Sequence, residues 1–108
     1  MLTLHPVLRC GNLEIRSDER RILLSNRPLD LTSREFQLLL ALAHRRNRVV
    51  PRTELFELVW DRRMPYRDRS VDVFVRKLRI KLEAAAPGWR YIHTHFGVGY
   101  RFAPERVV

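Results

Sequence analysis

Arg69, Val73, Arg76, Lys77 and Ile80 are the residues whose types and spacing point most directly to a chemistry. Wound at about 100° per residue, the segment from Arg69 to Leu82 gathers all five on one side of a helix. Long cations reach phosphate oxygens and guanine edges, and a β-branched methyl rests on a thymine methyl, so the mixture suits the major groove of DNA. The alternative for this segment alone is a solvated basic face, although a face serving only solubility would interleave acids with its bases. The opposite side must hold the helix in place. Val71, Val75, Leu78 and Leu82 follow the i, i+4, i+7, i+11 spacing within a wedge of roughly 60°, which predicts a stripe facing the core.

The charge around this helix is concentrated. The chain of 108 residues carries a formal net charge of +9, and eight Lys or Arg lie between Arg62 and Lys81 against Asp68 and Asp72. Such a patch recruits a polyanion by releasing its counterions, or sits on an anionic membrane surface. The membrane alternative competes with the core for the same apolar stripe, which favours nucleic acid. The length suits one domain with its own core, and 45% hydrophobic residues is ordinary for a globular protein. No apolar run approaches the roughly 18 residues needed to span a bilayer, and no secretion signal is legible at the N-terminus, so a soluble, cytoplasmic protein is expected.

Other chemistries find little support. The one cysteine, Cys10, cannot form an internal disulfide, and paired-cysteine zinc spacings are absent. His93 and His95 would share one side of a strand, but no second ligand pair accompanies them, so no metal or other cofactor is expected. Ser33, Ser70, the histidines and the carboxylates show no nucleophile–base spacing, and no glycine-rich phosphate loop follows a strand. An enzyme is not expected.

The elements that must position the basic helix can be read in order. Val7–Cys10, Leu13–Arg16, Arg21–Leu24 and Pro28–Leu31 alternate in character and are separated by turn-forming clusters, which predicts a small antiparallel meander over about 7–31. Thr32 and Glu35 have the spacing of a capping box, starting a helix over about 33–46 with Phe36, Leu39, Leu40 and Ala43 on its apolar face. Val49-Val50 lead into Pro51 and a short second helix over about 52–60, ending at Trp60. Asp61 to Asp68 has no helical rhythm and reads as a loop before the third helix, about 70–85. Pro87-Gly88 then breaks the pattern. Tyr91–Thr94 and Tyr100–Phe102 flank Gly97-Val98-Gly99 as a terminal hairpin, about 90–103. The expected fold class is α+β.

Two helices with a basic third helix and a trailing hairpin describe a winged helix-turn-helix. LDLTSREFQLLLAL, VVPRTELFELVW, RSVDVFVRKLRIKLE and IHTHFGVGYRF resemble the successive motifs of the OmpR/PhoB family, the DNA-binding effector domains of two-component response regulators, across about residues 8–102. The resemblance implies a four-stranded N-terminal sheet, three helices and a C-terminal wing, with the third helix in the major groove. It places Val73, Arg76 and Lys77 at recognition positions, Lys77 where arginine is usual. It places Trp60, Arg69, Ser70, Arg79 and Tyr100 at positions used on phosphates, with packing in the core as the alternative for Trp60 and Tyr100. Arg62, Arg63, Met64, Pro65, Tyr66 and Arg67 fall in a loop that in some members touches RNA polymerase.

Three departures stand out. In the wing segment Thr94-His95-Phe96-Gly97, Phe96 stands where many members carry an arginine that enters the minor groove. Ile80 replaces a common basic residue, and Phe74 a frequent histidine, with Phe74 expected to seal the core edge. The family also implies a receiver domain, whereas no aspartate here ends an apolar strand in an α/β repeat; the expectation is an effector domain whose full-length parent carries the receiver, the alternative being a parent that works without one. The expected partner is double-stranded promoter DNA with direct repeats, bound by a tandem dimer of chains that are monomers alone. The competing expectation is a winged helix whose basic face docks an acidic protein.

Overall fold

The computed structural model describes residues 7–107. Four short strands, β1 (Val7–Cys10), β2 (Leu13–Arg16), β3 (Arg21–Leu24) and β4 (Arg27–Pro28), form an antiparallel meander in sequential order. The alternation seen in the sequence follows the pleat: Leu13, Ile15, Ile22 and Leu24 are buried, whereas Glu14 and Arg16 lie on the other face. Ser25 and Asn26 both adopt positive φ, a tight two-residue link that starts β4 at Arg27. The fourth strand expected over Pro28–Leu31 is therefore shorter and earlier. Past the Leu29 N–H bond to Ile22, the chain leaves the sheet while Leu29 and Leu31 still pack on the core.

Helix α1 (Ser33–His44) begins with the expected capping box. The Glu35 N–H donates to the Thr32 hydroxyl at 3.3 Å, and the Glu35 carboxylate accepts from the Thr32 N–H at 2.8 Å. The helix ends two residues before the expected boundary. Arg45 satisfies its end by donating to the Ala41 carbonyl at 3.0 Å, and Asn47 turns the chain with φ 67°. Residues 49–51, expected only as a lead into the next helix, form strand β5 (Val49–Pro51). Helix α2 (Arg52–Trp60) follows at once, closed by Asp61 in the left-handed conformation.

Helix α3 (Ser70–Ala85) buries Val71, Val75, Leu78 and Leu82, the four residues of the expected stripe. Each fully buried aliphatic side chain contributes roughly 1.5–3 kcal/mol of burial free energy. The carboxylate of Glu35, 2% exposed, receives the Lys81 ammonium at 2.6 Å, so the cap of α1 is also the anchor of α3. Burial alone would raise the Glu35 pKa, but hydrogen bonds from Lys81 and Thr32 reverse this and hold it below its ordinary value.

The chain ends in a hairpin, β6 (Trp89–His95) and β7 (Gly99–Arg106), longer at both ends than expected. β7 is the middle strand of a second sheet in the order β5-β7-β6. Gly97 takes φ 77° in the turn. Gly99 is needed for a different reason: a Cβ there would fall 1.9 Å from the Val50 carbonyl oxygen, where β5 pairs alongside β7 next to the turn. The hairpin is tied to α2 as well, because the Arg52 N–H donates to the Val98 carbonyl at 3.2 Å. Among the described residues, no helix is long and apolar enough to cross a membrane.

Candidate nucleic-acid interface

Because α3 spends its apolar stripe on the core, its outward face carries the other set of side chains. Arg76 and Lys77 are exposed, Val73 is 47% and Ile80 59% exposed, and the Arg69 side chain is almost wholly accessible. Among the described residues neither Arg76 nor Lys77 forms an ion pair, and Lys77 rests its ammonium 4.7 Å from the Phe74 ring centre. Cations without acids beside them keep their counterions loosely held and available for exchange with phosphate. Phe74 seals the core edge as expected, packing edge-on against Trp60 at 5.5 Å.

The start of α3 is organised by acids. Asp68 accepts from the Ser70 N–H at 2.8 Å, and this bond with the Ser70 hydroxyl holds its carboxyl below the ordinary value. Asp72, in the first turn, receives the Tyr100 hydroxyl and the Arg52 guanidinium at 2.7 Å, with Arg69 3.6 Å away. Burial pushes the Asp72 pKa up, and these donors more than offset it. The same contact and its own burial push Tyr100 up.

The sites expected on phosphates therefore differ among themselves. Arg69 and Ser70 lie at the open end of α3, next to the wing turn: Arg69 and Gly97 line one groove together with Arg52 and Asp72. Trp60 is half-buried, stacked on Phe56 at 4.8 Å and covered by the Arg34 guanidinium at 4.9 Å, which agrees with the packing alternative. Tyr100 is 4% exposed, and its hydroxyl turns to Asp72 rather than to solvent. Arg79 is half-buried: Nε and Nη2 donate to the Ile92 carbonyl at 3.2 and 2.9 Å, and Nη2 donates to the Thr94 hydroxyl at 2.7 Å. Nothing in the sequence signalled that an arginine would be spent on a main-chain oxygen of the wing.

Phe96 stands at the wing tip, 91% exposed, with Val98 beside it at 50%. His93 faces the Ala103 carbonyl at 2.8 Å and His95 accepts from Arg101 at 3.2 Å, so the two rings are occupied within the hairpin. Among the described residues no group of three or more metal-ligating side chains is brought together. In the loop between α2 and α3, Met64 packs on the core while Arg62, Arg63, Pro65, Tyr66 and Arg67 are exposed. Arg62 stacks over Phe56 and Arg67 over Tyr66.

A four-stranded meander, three helices and a β-hairpin flanking the third helix define a winged helix-turn-helix, and residues 26–102 match the family model described as the C-terminal part of transcriptional regulatory proteins. The chain belongs to this family, the OmpR/PhoB type expected from its motifs. It is a family of transcriptional regulators rather than of enzymes. Its relatives include the transcriptional regulatory protein CreB of Escherichia coli, 39% identical over 88% of this chain and 42% of CreB. PrrA of Mycobacterium tuberculosis is 43% identical over 83% of this chain and 38% of PrrA. The chain thus spans about two fifths of the length of these relatives. In structure it is similar to the Klebsiella pneumoniae RstA DNA-binding domain in complex with the RstA box, with a TM-score of 0.83 and 30% identity over 92% of this chain and 98% of that one.

Proposed function

We propose that this chain, acting as one winged-helix unit, binds double-stranded promoter DNA in a sequence-specific manner as the effector domain of a two-component response regulator. The observation that carries the proposal is the outward face of α3, where Arg76 and Lys77 stand exposed and, among the described residues, without acid partners. In this reading α3 enters the major groove, Val73, Arg76 and Lys77 meet base edges, and Ile80 adds apolar contact. Arg69 and Ser70 meet phosphates at the start of α3. Thr94 and Phe96 approach the neighbouring backbone or minor groove from the wing, the exposed ring of Phe96 packing against sugar where an arginine would insert its charge. Trp60 and Tyr100 support this surface from behind.

The RstA complex supports the reading by analogy of fold. The greater length of CreB and PrrA is consistent with a receiver domain in the parent protein. Head-to-tail pairs on direct repeats, a polymerase contact through Arg62, Arg63, Met64, Pro65, Tyr66 and Arg67, and action in the cytoplasm complete the proposal. Selection of duplexes from a random pool tests it: a recurrent motif with a repeat spacing is the expected result. If about five or six phosphates are neutralised, log affinity should fall against log salt with a slope of roughly −5. Lys77→Ala should relax base preference at a cost of about 1–3 kcal/mol, whereas Arg69→Ala should weaken all sequences alike. No duplex retention even at low salt, with nuclease-insensitive capture of an acidic protein, would replace the DNA reading by its protein-docking competitor.

A further inference from the structure

The wing is joined to α3 at two places. Near the start of the helix, Asp72 holds the Tyr100 hydroxyl of β7. Seven residues later, about 10 Å along the axis, Arg79 grips β6 at the Ile92 carbonyl and the Thr94 hydroxyl. The two places meet at one ring, since the Arg52 and Arg79 guanidiniums lie 5.2 and 5.5 Å from the centre of Tyr100. Arg52 completes the circuit through its bond to Asp72. β6 is the edge strand of its sheet, so Arg79 supplies a donor where no further strand does. β5 and the Arg52 N–H already hold the β7 side of the hairpin; the Arg79 link adds a hold on β6, the strand of the wing that lies at the sheet edge.

Resting on the DNA-binding reading above, we propose that Arg79 is a positioning residue that pins the wing to the recognition helix and so sets the angle between Phe96 and the Arg76–Lys77 pair. Arg79 then acts on DNA through the wing and not as a phosphate contact. Swinging its guanidinium out to a phosphate would strip the Ile92 carbonyl and the Thr94 hydroxyl of their donor in a half-buried place. The geometry also asks for arginine specifically. A planar fork directs two N–H groups to one oxygen and another to a second, whereas a lysine offers one compact charge. A wing held in its bound pose before DNA arrives avoids the ordering cost that a loose hairpin would meet on binding.

Arg79→Lys separates the roles, because it keeps the charge and removes the fork. In the DNA-free variant, amide exchange over residues 94–100 should quicken about tenfold while the N-terminal sheet keeps its protection. Affinity for a duplex selected from the random pool should fall about tenfold. Phe96→Ala should then cost less in the Arg79→Lys background than in the wild type, because a loosened wing has already lost that contact. Thr94→Val, which removes one acceptor and keeps Arg79, should loosen the wing in the same direction by less, and it serves if Arg79→Lys fails to fold. Unchanged wing exchange with full affinity in Arg79→Lys, but lost affinity and a salt slope shallower by about one in Arg79→Met, would overturn the proposal and make Arg79 a phosphate contact. A wild-type chain that retains no duplex would sink the DNA reading itself, and the exchange arm would still report separately on whether the pin exists.

Discussion

Four cations lie within six residues of α3, and they divide into two kinds. Arg79 and Lys81 are committed to the protein, one to the wing and one to the buried Glu35. Arg76 and Lys77, one turn earlier, have no acid partner among the described residues. Angular position explains the division. With Val71 at the centre of the buried stripe, Arg79 and Lys81 fall about 80° to either side of it, within reach of neighbouring elements, while Arg76 and Lys77 fall near 140° and 240° and face away. A count of positive residues treats these four alike, and the helix wheel tells anchors from contacts.

That contrast can be broken from either side. The double variant Arg76→Ala, Lys77→Ala should lower affinity for a selected duplex about 100-fold while leaving the denaturation midpoint nearly unchanged. A matching loss of stability would mean that these side chains also hold the fold. Lys81→Met should do the reverse. It leaves a buried carboxylate with only its capping bonds and should cost about 2 kcal/mol in urea unfolding, with the affinity of the folded fraction within about twofold of wild type.

The same anchor predicts an acid dependence. Because the folded-state pKa of Glu35 lies below its ordinary value of 4.5, its stabilisation is complete above that value and is lost as pH falls through the lower one. The difference between unfolding free energies measured at about pH 7 and about pH 3 should therefore be smaller in Glu35→Gln than in the wild type. An identical difference would show that the pair gains nothing from ionisation. The smallest effect is expected at the wing tip: Phe96→Ala should weaken duplex binding only about threefold and leave the melting temperature unchanged, as for a side chain that is almost wholly exposed in the free protein.

Much of the scaffold was legible because its signals are local. The α3 stripe, the Thr32–Glu35 box and three of the four meander strands depend on residues within a turn or a pleat of one another, and they appear where periodicity and turn chemistry put them. β5 escaped notice because three residues cannot display a period, and its partner β7 lies about fifty positions away. The loss of Pro28–Leu31 as a strand has a similar origin: the positive-φ pair at Ser25 and Asn26 sets the register, and apolar residues beyond it reach the core from an extended segment. In the candidate site, exposure of Arg69, Val73, Arg76, Lys77 and Ile80 followed from the wheel. For Tyr100 the sequence left core packing and a phosphate role both open, and the ring is buried. The grip of Arg79 on a main-chain oxygen did not follow, since a carbonyl acceptor leaves no mark in the sequence.

Whether the outward face of α3 and the adjoining wing tip form the DNA surface can be read from backbone amide signals followed during titration with a pool-selected duplex. The largest shifts should fall at Arg69, Ser70, Val73, Arg76, Lys77 and Ile80 and at the wing tip from Thr94 to Val98, with β1 to β3 of the N-terminal meander unmoved. Shifts centred on that meander, with α3 silent, would contradict it.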